Sequence, residues 1–125
     1  TNEEWKVYLN TQQKMEYQVS RAGWIGDYND PNTFLDMWLT GGGNNYTGFT
    51  NEKFDQLIAS ASQESDSQKR FSLFGKAEEI LLDEMPIIPI YHYTSKYLAS
   101  PKVKGWHPTI LNHHPYKHVS IKPGD

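Results

Sequence analysis

Residues 21–31 of this 125-residue chain read RAGWIGDYNDP, and they join a strand-like stretch to a helix-like one. This segment, the 21–31 loop, holds a guanidinium, an indole, a phenol and two carboxylates. Its two glycines let the backbone turn and approach a ligand closely. We therefore interpret the loop as a binding segment for a ligand that carries a charged group and some apolar bulk.

Local patterns on both sides of the loop predict alternating strands and helices. The alternation in EYQVSRA predicts a strand at 17–22, and TNEEWKVYLN predicts a helix before it, with Asn2 as its candidate cap. After the loop, Asp30 and Pro31 are typical of an N-cap followed by a first-turn proline. The sequence therefore predicts an α/β fold.

Two amphipathic helices are predicted in the middle of the chain. The apolar residues of the first fall at i, i+3, i+4 and i+7: Phe54, Leu57, Ile58 and Ala61. Thr50 is its candidate cap. A second, longer helix starts at the capping-box spacing of Ser65 and Gln68 and ends before Pro86. We expect the apolar rows of both helices to form the core.

The remaining candidate elements are strands. IIPIYHY at 87–93 predicts a strand in which Pro89 removes one ladder hydrogen bond, and HVSIK at 118–122 is the best candidate in the tail. About three strands then stand beside four helices. Because an isolated α/β domain usually carries more sheet, we expect that this chain lacks structural partners.

Composition excludes several classes of function. The length suggests one domain-sized unit. A net charge of −3 with scattered basic residues argues against nucleic-acid binding. The absence of cysteine excludes disulfides and thiol-based zinc sites, and no run of about 18 apolar residues predicts a membrane span. Because residue 1 is Thr, we expect a mature protein or an excised piece of a longer one.

The loop residues alone leave two interpretations open. Held between Trp24 and Tyr28, the Asp27 carboxylate could accept a charge-assisted hydrogen bond from a cationic group. Alternatively, Asp27 caps a turn, Trp24 fills the core and Arg21 pairs with a surface acid. Asp-x-x-Asp-Pro is a common pattern at a turn that leads into a helix.

Metal binding is not predicted. His113, His114 and His118 are close in sequence, but Pro115 argues against one helical face that holds them. No HExxH motif or Cys ligand accompanies them. We therefore predict that the chain holds no metal and no cofactor.

Catalysis is not predicted either. Asp27 with Asp30 or Asp36 could serve a glycosidase, which needs two carboxylates that flank a sugar. Acids near helix starts are common, however, because they complement the helix dipole. Neither a Ser-His-Asp arrangement with a nucleophile elbow nor a P-loop occurs. A further alternative is a carbohydrate-binding module that stacks sugars on Trp24, Tyr28 and Trp38.

Three stretches in this order resemble one family: RAGWIGDYNDPNTFLDMW, GGGNNYTGFTNEKFDQLI and AEEILLDEMPIIPIYHY. They are similar to the C-terminal part of the oligopeptide-binding proteins of ABC importers, which are extracytoplasmic solute-binding proteins of the peptide/nickel class. The closing VKGWHPTILNHHPYKHVSIK resembles Gram-positive members most. The resemblance implies an incomplete piece of the C-terminal lobe of a two-lobed periplasmic-binding-protein-like fold. Residues 1–94 would end the ligand-binding second lobe, and 95–125 would be the return segment to the first.

The resemblance implies a function outside the cytoplasm. The full-length protein would be lipid-anchored to the outer face of the cytoplasmic membrane, would bind oligopeptides without catalysis, and would deliver them to a membrane permease. HVSIK would lack its native neighbours, and we expect its exposed edge to favour a strand-swapped homodimer. The alternatives are another solute, such as a sugar or a nickel chelate, or a glycoside hydrolase fragment.

The resemblance also assigns ligand-binding roles to five residues. Asp27 would form a salt bridge with the α-amino group of the peptide, and Trp24 would line a side-chain pocket. Arg21 would lie near the peptide backbone or its C-terminal end. Ile25 would run beside the peptide main chain, and Tyr93 would lie close to the ligand.

Overall fold

The computed structural model describes residues 2–122, which form four helices, two 3₁₀ turns and two short strands. The helices are α1 (Trp5–Gln13), α2 (Asn32–Leu35), α3 (Glu52–Gln63) and α4 (Ser67–Glu84). The 3₁₀ turns are Asp36–Trp38 and Tyr116–His118, and the strands are β1 (Val103–Lys104) and β2 (Ser120–Ile121). The helices are mainly in the first two thirds of the chain, and the strands lie in its tail.

Helices α3 and α4 were predicted correctly, although their caps lie one residue later than expected. Asn51 caps α3 and Asp66 caps α4, each by accepting a hydrogen bond from the main-chain N–H three residues on. The predicted caps were Thr50 and Ser65. Helix α4 ends at Glu84, and its C-cap residue Met85 takes a left-handed conformation with φ of 50°.

The core lies between α3 and α4 and extends under the segment that follows the 21–31 loop. Its buried apolar side chains come from both helices, from α2 and from the α3 approach: Leu35, Phe49, Phe54, Ile58, Ala61, Phe74, Ala77 and Leu81. Phe54 is fully buried, and its ring meets the Phe49 ring edge-on with centroids 5.5 Å apart. The prediction that the apolar rows of α3 and α4 form the core is confirmed for most of their members. It is wrong for Phe71 (55% exposed) and Met85 (70% exposed), which the predicted row of α4 also included.

Two of the three predicted strands are wrong. Residues 17–22 and 87–93 run without a ladder partner among the described residues, and side chains such as Val19 (87% exposed) and Ile90 (80%) face solvent. An extended segment becomes a strand only where a neighbour supplies hydrogen-bonding groups. In residues 2–122, neither segment has such a neighbour.

The third predicted strand is partly confirmed. Within 118–122, β2 pairs antiparallel with β1, and Val103 lies opposite Ile121. HVSIK therefore has a partner in its own chain, which corrects the expectation that it lacks neighbours. At the other end, α1 is capped by Glu4, whose carboxylate accepts from the Lys6 N–H at 2.9 Å, rather than by Asn2.

The chain exposes much more surface than a compact protein of its size. Its accessible area is 10198 Å², whereas a folded monomer of 14.5 kDa exposes roughly 6,900 Å². The excess includes large apolar side chains on the extended segments, with Ile25 at 87% and Leu98 at 103% exposure. Among residues 2–122, no helix has both the length and the apolar character needed to cross a membrane.

Candidate functional site

The 21–31 loop is attached to the rest of the chain at both ends. At its start, the Arg21 carbonyl accepts a hydrogen bond from the Tyr8 hydroxyl of α1 at 2.8 Å. At its end, one carboxylate oxygen of Asp30 accepts from the Asn32 N–H at 2.9 Å, which caps the start of α2. A helix therefore starts beside Asp30 and Pro31 as predicted, but it is short and begins at Asn32, so that Pro31 directly precedes it instead of lying in its first turn.

A bidentate ion pair joins the end of the loop to α4. The Arg70 guanidinium donates from Nη1 to Asp30 Oδ2 at 2.6 Å and from Nη2 to Oδ1 at 2.9 Å. About a quarter of each side chain remains exposed. The hydrogen bond from Arg70 is the largest cause that holds the pKa of the Asp30 carboxyl below its ordinary value.

Arg70 also binds the helix pair itself. Its Nε donates to the carbonyl of Ala61, near the end of α3, at 3.2 Å. Its guanidinium carbon lies 4.6 Å from the centroid of the Phe74 ring on α4, which is within the range of a cation–π contact. One side chain thus links α3, α4 and the loop.

Asp27 combines an anchored main chain with an unengaged carboxylate. Its N–H donates to Thr33 Oγ1 at 3.0 Å, and Thr33 is only 2% exposed. The preceding Gly26 packs so closely that an added Cβ would lie 3.1 Å from the Phe34 ring and from the Thr33 methyl group. The Asp27 side chain is exposed, and no group within residues 2–122 hydrogen-bonds or ion-pairs with its carboxylate.

The other two acids near the loop are engaged. Asp30 is bound by Arg70, as described above. Asp36 accepts hydrogen bonds from the Asn32 side-chain amide at 2.9 Å and from the Tyr28 hydroxyl at 3.3 Å. This arrangement turns the Tyr28 hydroxyl toward α2, and the expected enclosure of Asp27 between Trp24 and Tyr28 is not formed, because Asp27 is exposed.

The apolar loop residues point outward. Trp24 is 37% exposed and Ile25 is 87% exposed, so neither belongs to the core. Arg21 is exposed and forms no ion pair in the described part of the chain. The structural alternative, with Trp24 in the core and Arg21 paired with a surface acid, is therefore wrong. The loop presents a cation, a carboxylate and two apolar side chains to solvent.

Tyr93 lines a cleft that is separate from the 21–31 loop. It is 82% exposed and borders a cleft of about 770 Å³, whose aromatic lining also includes Tyr91, Tyr97, Trp106 and His114. No residue of the 21–31 loop contributes to this cleft. The structure therefore brings Asp27, Trp24, Ile25 and Arg21 onto one segment but does not bring Tyr93 to them.

Sequence reasoning missed the residues that hold the loop. Arg70 lies 40 positions from Asp30, and no local pattern indicates that pairing. Thr33 follows the Asp-Pro helix start, where hydroxyl side chains often bond nearby backbone groups, so its role had a weak signal. His107 and His118 stack with ring centroids 6.2 Å apart, but residues 2–122 contain no group of three or more His, Asp or Glu side chains that could hold a metal ion.

Comparison with known proteins identifies the relatives of the chain. No family model matches it. It is 40% identical over 124 residues to the dipeptide-binding protein DppE of Bacillus subtilis (strain 168), which covers 99% of the chain. It is 44% identical over 105 residues, or 83% of the chain, to the oligopeptide-binding protein OppA of the same organism. A solved structure, Haemophilus influenzae OppA in complex with the peptide RPPGFSPFR, matches 97% of the chain at 34% identity with a TM-score of 0.83.

The homologues of the chain are oligopeptide- and dipeptide-binding proteins of ABC importers, and the chain matches only a part of each of them. It spans 22% of DppE, 19% of the B. subtilis OppA and 24% of the H. influenzae OppA structure. Its fold is accordingly one part of a periplasmic-binding-protein-like fold. The homologues are named as binding proteins rather than enzymes, and several are named as periplasmic.

The homology also accounts for the excess surface. A chain that covers about a fifth of its relatives lacks most of the structure against which its extended segments could pack. The two wrong strand predictions thus have the same cause, the absence of neighbouring strands.

Proposed function

We propose that the protein to which this chain belongs binds oligopeptides outside the cytoplasm, without catalysis, and delivers them to the permease of an ABC importer. Within it, Asp27 holds the α-amino group of the peptide. The observation that carries this assignment is the exposed, unengaged carboxylate of Asp27 on a main chain anchored by Thr33. The names of the homologues, and the peptide in the H. influenzae OppA structure, support peptide as the ligand.

The loop suits the capture of one end of a peptide. A carboxylate held by its own backbone can meet an ammonium group without reorganisation, and the resulting hydrogen bond is charge-assisted. Two apolar residues lie near it in the loop. Trp24 would line a side-chain pocket, and Ile25 would run beside the peptide main chain. Arg21 would lie near the backbone or the C-terminal end. Tyr93 would meet the ligand from a separate cleft.

The engaged acids weigh against the glycosidase alternative. A glycosidase needs two carboxylates free to act on the substrate, but Asp30 is bound by Arg70 and Asp36 by Asn32 and Tyr28. Only Asp27 of the three is free of partners within residues 2–122. One free carboxylate can bind a cation but cannot supply the acid and base pair.

Finer features of the proposal follow from the resemblance. The chain would form the C-terminal part of the protein, with residues 1–94 at the end of the second lobe and 95–125 returning to the first. The full-length protein would be lipid-anchored at the outer face of the cytoplasmic membrane. A strand-swapped homodimer of the fragment stays a prediction, although the edge of HVSIK on which it was based already pairs with β1.

The proposal is tested in a hybrid protein, the DppE hybrid, in which this chain replaces the homologous segment of B. subtilis DppE. Alanine peptides of two to five residues, and their N-acetylated forms, are titrated calorimetrically into the hybrid and its Asp27→Asn variant. We expect Asp27→Asn to weaken binding of the free peptides by about 2–5 kcal/mol, the cost of removing one partner of a desolvated charge pair. Asp83→Asn, at an exposed acid of α4, is the matched control.

Each outcome has a distinct meaning. Selective binding of free peptides, lost in Asp27→Asn and kept in Asp83→Asn, supports both peptide binding and the role of Asp27. Equal binding of free and acetylated peptides would keep the peptide ligand but reject the Asp27 assignment. If the hybrid binds neither form while unaltered DppE binds the free peptides, the peptide proposal fails. Sugars and nickel chelates are then the ligands to titrate.

A further inference from the structure

We propose that Arg70 is a positioning residue for peptide capture: it holds the 21–31 loop in the conformation that presents Asp27. This inference rests on the proposed function. Arg70 lies on α4 and does not contact Asp27, so its effect passes through Asp30 and α2. It gives a role in binding to a side chain that neither the motif pattern nor the homologues' names indicate.

The guanidinium is fixed on three sides. Both of its terminal nitrogens donate to the Asp30 carboxylate, at 2.6 and 2.9 Å. Its Nε donates to the Ala61 carbonyl at 3.2 Å, and its Cζ lies 4.6 Å from the centroid of the Phe74 ring. Phe74 is only 3% exposed and belongs to the core. Arg70 therefore holds Asp30 in a fixed position relative to the packed helices α3 and α4.

The constraint passes from Asp30 to Asp27 through α2. The Asp30 carboxylate accepts from the Asn32 N–H at 2.9 Å, and the Asp30 carbonyl accepts from the Thr33 N–H at 3.3 Å. These bonds set the first turn of α2 and so the place of the Thr33 hydroxyl. That hydroxyl in turn accepts from the Asp27 N–H at 3.0 Å. Every step between Arg70 and Asp27 is a hydrogen bond or one short helical turn.

Arginine suits this position better than lysine. A lysine ammonium is a point charge that could pair with Asp30, but it lacks the planar fork that binds both carboxylate oxygens and lies flat on an aromatic ring. Arg70→Lys thus keeps the charge while it loses the geometry. Arg70→Gln loses both. The two variants separate the effect of charge from that of position.

The test uses the DppE hybrid and measures the ratio of its affinities for trialanine and N-acetyl-trialanine. A residue that matters only for stability leaves this ratio unchanged in the folded protein. We expect Arg70→Gln and Asp30→Asn each to reduce the ratio by about 2- to 30-fold, the range for residues that modulate a site without touching its ligand. Arg70→Lys should fall between them and the unaltered hybrid. The double variant should be no worse than either single variant.

A matched control and a second readout accompany the binding measurement. Lys76→Gln removes a positive charge from an exposed position of the same helix and should leave the ratio unchanged. Hydrogen exchange of the Asp27 amide reports loop order without any ligand. It should accelerate in Arg70→Gln, whereas exchange of the Ile58 amide in α3 should not change.

The outcomes separate this inference from the proposed function. A reduced ratio together with faster Asp27 exchange supports the positioning role. An unchanged ratio in Arg70→Gln overturns it, even if the variant is less stable. If the unaltered hybrid binds neither peptide, the proposed function fails and the positioning role falls with it. Faster exchange in that case would leave Arg70 as a structural residue only.

Discussion

The hydroxyl of Thr33 allows a sharp test of how Asp27 is anchored. Thr33→Val preserves the shape of a side chain that is 2% exposed but removes the oxygen that accepts from the Asp27 N–H at 3.0 Å. The N–H then loses its protein acceptor. Leaving a buried donor unpaired costs about 1–3 kcal/mol. Because Asp27 is exposed on its other side, water can replace part of this hydrogen bond. We therefore expect Thr33→Val to lower the free energy of unfolding by about 1–1.5 kcal/mol.

Thr33→Ser is the matched variant. It keeps the acceptor oxygen and removes the methyl group that packs close to Gly26, at a cost of about 0.8 kcal/mol for one buried carbon. Urea unfolding alone therefore separates the two variants poorly. Hydrogen exchange separates them well, because only Thr33→Val frees the Asp27 amide. A loss of about 1.4 kcal/mol corresponds to roughly tenfold faster exchange through local opening.

The assay is residue-resolved hydrogen exchange by NMR, with urea unfolding of the same samples. Thr33→Val should accelerate exchange of the Asp27 amide about tenfold, and Thr33→Ser should leave it near that of the unaltered chain. Exchange of the Phe74 amide in α4 should be equal in all three proteins. Equal protection of the Asp27 amide in Thr33→Val and the unaltered chain would refute the view that Thr33 anchors the loop.

Two further predictions concern stability. Arg70 holds the folded-state pKa of Asp30 below its ordinary value of 3.8, so the pair contributes stability that is complete above that value and is lost as pH falls through the folded pKa. Urea midpoints of the chain and of Asp30→Asn should therefore converge on acidification below about pH 4; a constant difference would contradict this. In the core, Phe54→Ala should cost about 3–5 kcal/mol, whereas Phe71→Ala, at a half-exposed position, should change urea stability by no more than about 0.5 kcal/mol; similar losses in both would contradict the assigned core.

Elements defined by short-range patterns were predictable from the sequence. The apolar spacing of α3 and α4 gave their positions and most of their buried faces, because both helices pack mainly on each other; Phe71 and Met85 of the predicted row are exposed. Their caps were displaced by one residue since adjacent positions offer competing cap side chains: Thr50 beside Asn51, and Ser65 beside Asp66. Which of the two caps the helix depends on where the backbone enters the core, and this is a tertiary property.

Features that depend on distant partners were not predictable. The segments at 17–22 and 87–93, which were predicted as strands, have suitable residues but no neighbour in residues 2–122 with which to pair. The pairing of Arg70 with Asp30 spans 40 residues, and nothing in either local sequence specifies it. The loop was recognised as a candidate site from its composition. Its internal arrangement was not, because the Tyr28 hydroxyl bonds to α2 instead of enclosing Asp27.

The exposed surface of the isolated chain limits how strongly Asp27 can bind a peptide ammonium group. The difference between the observed 10198 Å² and the roughly 6,900 Å² of a compact monomer is about 3,300 Å² on this chain alone, whereas an obligate interface buries about 2,000–5,000 Å² summed over both partners. An ion pair on an exposed surface is worth only about 0.2–1 kcal/mol, so Asp27 in the isolated chain can hold an ammonium group only weakly. The same carboxylate gains its larger effect once a second wall removes water from the pair. A small effect of Asp27→Asn in the isolated chain and a large one in the DppE hybrid is therefore the pattern that the geometry requires, and equal small effects in both would place the peptide terminus elsewhere.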